Sequence, residues 1–273
     1  MKTTKIFNFS RFGRYAKSTL ILTYKQTLMI WGTIATIIFL LSLFFMVAAR
    51  EWNNSKWIPA FFIVFFVGGI IYAGMSFPTF RKKEKTIVSL TIPVTAFERF
   101  LYELLEKIVA FLIIFPLFFQ IFSSLAVFLR NAAEPGKVMT VEYQINNTVV
   151  NYQSFPFDYI SWGHALNSFE DGLPFMILTF ALFVFTLAFA GAATFRKYPL
   201  IKTIVFLGAV IATMAGYFYI TLEKLHFNHP WFEKISDQNT QPEIIIIWTY
   251  LLTFLSLVML TYTYFKVKEK EAQ

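Results

Sequence analysis

Charged side chains are scarce in this chain, and one short stretch holds many of them. The stretch is EKTIVSLTIPVTAFERFLYELLEKIVAF, residues 84–111. Within it, Thr95-Ala-Phe-Glu98 matches a capping box, in which the Thr hydroxyl and the Glu carboxylate each accept a hydrogen bond from a free backbone N–H at a helix start. Arg99 and Glu103 follow as opposite charges four residues apart, a spacing that stabilises the wet side of a helix. This chemistry is that of helix capping and ionic docking, not of catalysis.

Other residues that could do chemistry are few. His226 and His229 lie three apart and could share a metal ion, but no third ligand lies beside them, so we interpret them as ordinary loop residues. The sequence contains no cysteine, no GxxxxGK[ST] phosphate-binding loop, no HExxH and no GxSxG. Thiolate chemistry, an ATP-binding loop of that type and the commonest hydrolytic sites therefore lack support. We expect a chain that is not an enzyme and that has no cofactor or metal of its own.

The composition is that of a membrane protein. Of the 273 residues, 57% are apolar and only 15% are charged, whereas charged residues make up about a quarter of an average soluble protein. The net charge of +8 could indicate nucleic-acid binding, but the basic residues lie beside the apolar runs. That placement is typical of membrane flanks and not of a nucleic-acid surface.

Six apolar runs are long enough to cross about 30 Å of hydrocarbon, and none contains Asp, Glu, Lys, Arg or His. We therefore predict an all-α integral membrane protein with a six-span domain over residues 27–265 and a short tail over residues 266–273. The predicted spans are residues 27–49, 58–80, 108–129, 173–195, 203–222 and 244–265.

The Lys and Arg residues predict the orientation of the spans. Eighteen of the 24 lie on the side that holds both termini, and six lie on the other side. Because cytoplasmic loops are enriched in Lys and Arg, both termini are predicted to be cytoplasmic. We place the protein in a bacterial inner membrane as a multi-pass protein, and we expect no cleaved signal peptide.

Residues 1–26 are predicted to form a cytoplasmic amphipathic segment at the membrane interface. From Ser10 onward, Phe12 and Tyr15 fall on one side of a helical projection, and Arg11 and Arg14 fall on the other. A basic amphipathic helix before a span suits the cytoplasmic surface of a bilayer. A simple positive-inside anchor explains the same pattern equally well.

A second amphipathic helix is predicted between spans two and three. Pro93 disfavours a helix through the residue before it, and the capping box then starts a new one. Phe97, Phe100 and Leu104 share its apolar side, which we expect to hold the bilayer while the helix continues into span three, where Pro116 predicts a kink. The helix is either a docking element for a partner or only an anchor for that span.

The loop over residues 130–172 is predicted to be external. Strand-like residues flank Asn146-Asn147, and Asn tolerates the positive φ that a tight hairpin turn requires. A small hairpin is expected there.

Two stripes of small residues lie within the spans. One is Gly69 and Ala73 in span two, and the other is Gly208, Ala212 and Gly216 in span five. Small residues every fourth position let helices approach closely, so each stripe is a candidate for internal helix packing or for a subunit interface.

The layout resembles the permease subunits of type-two ABC exporters. These have six spans, cytoplasmic ends, an amphipathic helix before span one and a cytoplasmic helix between spans two and three. SLTIPVTAFERFLYELLEKIV looks like the recurring loop of that family, in which an L-P-[VI]-[ST] run precedes a charged helix that re-enters the membrane. One departure is that the longest external loop here follows span three, whereas many members elaborate the segment between spans five and six.

The resemblance implies that residues 91–107 form a coupling helix that docks on a separate ATPase subunit, which would bind ATP and Mg²⁺. The expected docking residues are Thr91, Pro93, Val94, Thr95, Phe97, Glu98, Arg99 and Glu103, with Glu98 and Arg99 exposed at the tip. A second permease copy, identical or related, is implied as well. The uncharged, Phe-rich spans favour an apolar or amphiphilic cargo, and the resemblance implies that it is moved outward. The alternatives are a membrane scaffold that docks another cytoplasmic protein and, less favoured, a membrane enzyme.

Overall fold

The computed structural model describes residues 7–48, 54–81, 93–133, 139–145, 148–154, 173–195, 197–219 and 241–272. Its α-helices are α1 (Phe9–Ala48), α2 (Asn54–Gly74), α3 (Ala96–Leu104), α4 (Ala110–Ala133), α5 (Leu173–Thr194), α6 (Pro199–Tyr219) and α7 (Gln241–Ala272). A 3-10 turn (Pro78–Arg81) follows α2, and a π-helical turn (Leu105–Val109) joins α3 to α4. Two strands, β1 (Met139–Ile145) and β2 (Thr148–Ser154), follow α4.

Five of the described helices are long and apolar enough to cross a membrane, and each overlaps one predicted span. They are Phe9–Val47, Lys56–Gly74, Ala96–Ala133, Pro174–Thr194 and Ile245–Lys270. The remaining predicted span, residues 203–222, overlaps α6, which has 21 residues. The chain is therefore a multi-pass membrane protein, and the count of six spans stays a prediction.

Large apolar side chains cover much of the surface of these helices. Phe44, Phe206 and Phe254 are 65%, 62% and 63% exposed. Extensive apolar surface is rare on a soluble monomer and marks contact with a membrane or a partner. These side chains suit contact with lipid.

Helix α1 contains both the predicted amphipathic segment and the first predicted span. It runs without interruption for 40 residues from Phe9, so the two are parts of one helix. At 1.5 Å per residue such a helix is roughly 60 Å long, about twice the hydrocarbon thickness. About half of α1 therefore extends beyond the hydrocarbon.

Helices α3 and α4 form one continuous rod through the π-helical turn, as predicted for an element that runs on into span three. Within the turn, the backbone N–H of Ala110 donates to the carbonyl of Leu105, five residues earlier. A π-helical turn carries one more residue than an α-helical turn. Pro116 lies inside α4.

Strands β1 and β2 pair antiparallel, from Met139 opposite Ser154 to Ile145 opposite Thr148. The strands flank Asn146-Asn147, where the sequence predicts a hairpin turn. The turn residues themselves and residues 155–172 of the external loop lie outside the described residues.

The chain forms two compact units, each with an aromatic core. The first comprises Met1–Ser18, Phe66–Phe111 and Phe169–Gln273. In it, the ring of Phe185 on α5 lies 5.6 Å from that of Phe111, and the ring of Phe189 lies 4.9 Å from Phe77 and 6.0 Å from Phe100. Aromatic rings at such separations stabilise a core beyond the burial of their area. Helix α5 is thus central to this unit.

The second unit comprises Thr19–Phe65 and Leu112–Ser168. Phe61 lies at the centre of its aromatic cluster, with its ring 5.3 Å from Phe65, 5.8 Å from Phe115 and 5.1 Å from Phe119. Trp57 is fully buried and lies 6.1 Å from Phe119. Interleaved aromatic rings therefore hold α2 to α4 within this unit.

The small-residue stripe on α2 serves internal packing. A Cβ atom added at Gly69 would lie 2.1 Å from the ring of Phe185, so α2 and α5 approach as closely as a glycine allows. Ala73, one turn later, is fully buried. This outcome agrees with the packing alternative for that stripe.

The stripe on α6 has a different environment. A Cβ atom at Gly208 or Gly216 would meet no other atom within 4 Å in the described part of the chain. Ala212, between them, is exposed. Internal packing against a described neighbour therefore does not account for this stripe, and the interface alternative stays a prediction.

Candidate docking site at the start of α3

Helix α3 begins with the predicted capping box. Thr95 is extended, with φ −82° and ψ 156°, and its hydroxyl oxygen accepts a hydrogen bond from the N–H of Glu98 at 3.4 Å. In return, the carboxylate of Glu98 accepts from the N–H of Thr95 at 3.1 Å. Both of these N–H groups lack a partner within the helix, so the box fixes where α3 starts.

A second helix start lies against the first. Asn8 precedes α1, and its side-chain oxygen accepts from the backbone N–H groups of Ser10 at 3.0 Å and of Arg11 at 3.4 Å. Asn is among the preferred N-cap residues for this reason. Two helix N-termini, those of α1 and α3, therefore meet in one place.

The carboxylate of Glu98 joins the two helix starts. Its Oε1 accepts from the backbone N–H of Asn8 at 3.0 Å and from the guanidinium of Arg11 at 2.8 Å. Its Oε2 accepts from Nε of Arg11 at 2.9 Å. Glu98 is 0% exposed, and a buried carboxylate is stable only when it is paired and hydrogen-bonded. Arg11 and the two helix starts supply those partners.

Aromatic contacts extend this junction along both helices. The ring of Phe7 lies 6.0 Å from that of Phe97, and the ring of Tyr15 lies 5.5 Å from that of Tyr102. Both pairs are edge-to-face, a favourable geometry for aromatic rings. The first two turns of α1 are therefore fixed against α3.

The apolar side of α3 packs on protein, which corrects part of the sequence prediction. Phe97 and Phe100 were expected to hold the bilayer, but their rings lie 6.0 Å and 5.9 Å from that of Tyr264 on α7. Phe100 also contacts Phe189 of α5 and is only 7% exposed. Helix α3 is consequently held by three neighbours in its own unit.

The expected exposure of Glu98 and Arg99 is wrong. Glu98 is turned inward by Arg11 and the two helix starts, and Arg99 is only 6% exposed. The prediction placed both on the wet side because helical spacing alone cannot indicate a neighbour that is distant in sequence. Arg11, 87 residues away, was predicted to face away from the apolar side of its own helix, and no local pattern identifies it as the partner of Glu98.

The other expected docking residues surround this junction. Pro93 is exposed, whereas Val94, Thr95, Phe97 and Glu103 are half-buried. Thr91 lies outside the described residues. The accessible part of the site is therefore its tip, just before the capping box.

Near the other end of α3, a lysine lies between a carboxylate and an aromatic ring. Lys107 donates to Glu106 at 2.7 Å, and its ammonium group lies 4.8 Å from the ring centroid of Tyr72 on α2. A cation over a Tyr ring is attracted by the π-electrons. This contact holds the π-helical turn against α2.

Within the described residues, no group of three or more His, Asp or Glu side chains is placed to hold a metal ion. His226 and His229 lie outside them. In comparisons with protein-family models, curated proteins and solved structures, the chain matches none.

Proposed function

We propose that this chain is the permease subunit of an ATP-driven type-two ABC exporter in a bacterial inner membrane, with six spans and both termini cytoplasmic. The observation that carries the proposal is the construction of α3. This short helix is capped, is fixed to the start of α1 by the ion pair between the buried Glu98 and the half-buried Arg11, contacts α5 and α7, and runs on into a membrane span. A force applied to its tip would reach several membrane helices at once, as a coupling helix requires.

The docking surface on the ATPase side is the tip of α3. It comprises Pro93, Val94 and Thr95, continued by the half-buried Phe97 and Glu103. Glu98 and Arg99 are buried behind the tip. They position it and do not form charged contacts with a partner. Shape and apolar contact therefore dominate docking, and added salt should weaken it less than an exposed charged contact.

ATP and Mg²⁺ belong to the partner, because the sequence contains no GxxxxGK[ST] loop. Two ATP sites work together in such machines, so a second permease copy is part of the proposal. The stripe of Gly208, Ala212 and Gly216 on α6 does not pack against any described neighbour. It is the surface at which a second copy would pack closely. The uncharged spans suit an apolar or amphiphilic cargo, moved outward.

A membrane scaffold is the second candidate. The burial of Glu98 and Arg99 favours it, because these charged side chains of α3 are then turned into their own chain and not towards an ATPase. A scaffold would use the same tip to hold a cytoplasmic protein that has no ATPase activity.

The experiment identifies what touches the tip. A cysteine introduced at Pro93, in a chain that has none, carries a photoreactive maleimide, and the crosslinked product from native membranes is sequenced by mass spectrometry. The matched control places the cysteine at the exposed Lys268 of α7. We expect a protein with a GxxxxGK[ST] loop to crosslink at 93 but not at 268. A crosslink from 93 only to proteins without that loop, or none at all, would contradict the exporter function.

A further inference from the structure

A groove lies among α5, α6 and α7, within the unit that contains α3. It has a volume of about 390 Å³, which falls in the usual range for small-molecule sites, about 300–1,000 Å³. Leu187 and Ala190 of α5, Phe206 of α6, and Val258 and Met259 of α7 form its apolar wall. The groove is thus built for an apolar guest.

The groove opens sideways. Phe206 is 62% exposed and Val258 is 44% exposed, so its rim faces outward from the unit. Gly191 of α5 and Thr203 of α6 also line it. A Cβ atom at Gly191 would clash with the hydroxyl oxygen of Thr203, so α5 and α6 are in close contact where these two residues meet. A guest must therefore enter from the surrounding membrane.

One end of the groove is polar. There the hydroxyl groups of Thr194 and Tyr262 lie 3.3 Å apart. Phe195 lines the same end, and the ammonium group of Lys202 lies 5.6 Å from its ring centroid. Lys202 is exposed, and no carboxylate in the described part of the chain pairs with it. An apolar groove with a lysine beside its polar end is complementary to an anionic amphiphile.

We propose that this groove binds one acyl chain of an anionic phospholipid, with Lys202 contacting the headgroup. The chain would lie against Leu187, Ala190 and Val258, and the phosphate would lie at the end marked by Phe195. Basic residues between membrane helices on the cytoplasmic side are a recurrent binding site for anionic headgroups. The basic asymmetry of the sequence predicts that the Lys202 end is cytoplasmic, so the lipid comes from that leaflet.

The groove and the small-residue stripe occupy different sides of α6. Gly208 and Ala212 lie five and nine residues after Thr203, which rotates them by about 140° and 180° around the helix axis. A second copy packed on the stripe would therefore leave the groove open to lipid. The lipid site is also independent of the exporter function, because it needs neither an ATPase nor a cargo.

The test measures lipid retention by native mass spectrometry. The delipidated protein is mixed with phosphatidylglycerol or with phosphatidylcholine of identical chains, and the fraction that keeps one lipid is compared. A lysine near a membrane surface contributes about 1 kcal/mol towards anionic lipid, so wild type should prefer phosphatidylglycerol about five-fold. Lys202→Gln should abolish that preference and Lys202→Arg should keep it, while Lys268→Gln serves as the control for charge.

A second pair of variants tests the groove itself. Val258→Trp fills it from an exposed position on the rim, and Leu257→Trp adds the same side chain at the neighbouring exposed residue. Val258→Trp should lower retention of both lipids several-fold, and Leu257→Trp should leave it unchanged.

The proposal is overturned if Lys202→Gln keeps the full preference, or if the two Trp variants retain lipid equally. If Val258→Trp disrupts a dimer and leaves lipid retention unchanged, the groove binds a second copy of the chain, and the proposal is overturned as well.

Discussion

At the scale of single residues, Glu98 is the centre of the candidate site. Its carboxylate accepts from Arg11 and from the backbone N–H groups of Asn8 and Thr95. Two helix N-termini point towards it, and the partial positive charge at a helix start stabilises an anion. One side chain thus caps α3 and binds it to α1, so removing its charge should affect both helices.

A double-mutant cycle tests this junction. Hydrogen bonds to a charged group contribute about 1.5–3 kcal/mol, so Glu98→Gln and Arg11→Gln should each lower the thermal stability of the purified protein by a few degrees. Because both changes remove the same interaction, the double variant should lose clearly less than the sum of the single losses. Arg14→Gln, at an exposed position one turn along α1, is the control and should have little effect. Additive losses would show that the pair is not coupled.

At the scale of elements, aromatic contacts on both sides of the π-helical turn build the rod of α3 and α4 into its unit. Phe100, before the turn, lies 6.0 Å from Phe189 of α5. Phe111, after it, lies 5.6 Å from Phe185 of the same helix and 5.6 Å from Tyr72 of α2. The close contact of α2 with α5 at Gly69 completes the arrangement.

That contact gives a prediction about Gly69. Gly69→Ala places a methyl group 2.1 Å from the ring of Phe185, which is only 1% exposed and has no room to move aside. Overpacking of this kind costs about 1–3 kcal/mol, so the melting temperature in detergent should fall. Gly32→Ala is the matched control at an exposed position of α1, where the added Cβ meets no described atom, and it should not lower the melting temperature. Equal melting temperatures for the two variants would refute close packing at Gly69.

At the scale of the whole molecule, the sequence predicts the local features and misses the distant ones. The apolar runs and the capping box depend on neighbouring residues, and the structure has five spanning helices and the box where they were predicted. The partner of Glu98 and the fit of Gly69 against Phe185 depend on residues far apart in the chain, which hydrophobic spacing cannot pair. Residues 10–26 were predicted as an amphipathic helix that leads into span one, and in the structure they lie within α1.

The orientation of the whole chain is the remaining prediction, and it follows from where the charges lie. Eighteen of 24 Lys and Arg residues flank one side of the predicted spans, and loops so enriched are retained in the cytoplasm. In the cysteine-free chain, a cysteine at Asn147 in the external loop should react with an impermeant maleimide on intact cells. Cysteines at Ser10 and at Gln273 should react only after the membrane is opened. A cysteine at Ser42, which is 3% exposed within α1, should remain unlabelled in both conditions.

Labelling of Ser10 or Gln273 on intact cells, with Asn147 protected, would invert the topology. The tip of α3 would then lie on the side of the membrane where no ATPase can reach it, and the exporter proposal would fail with it.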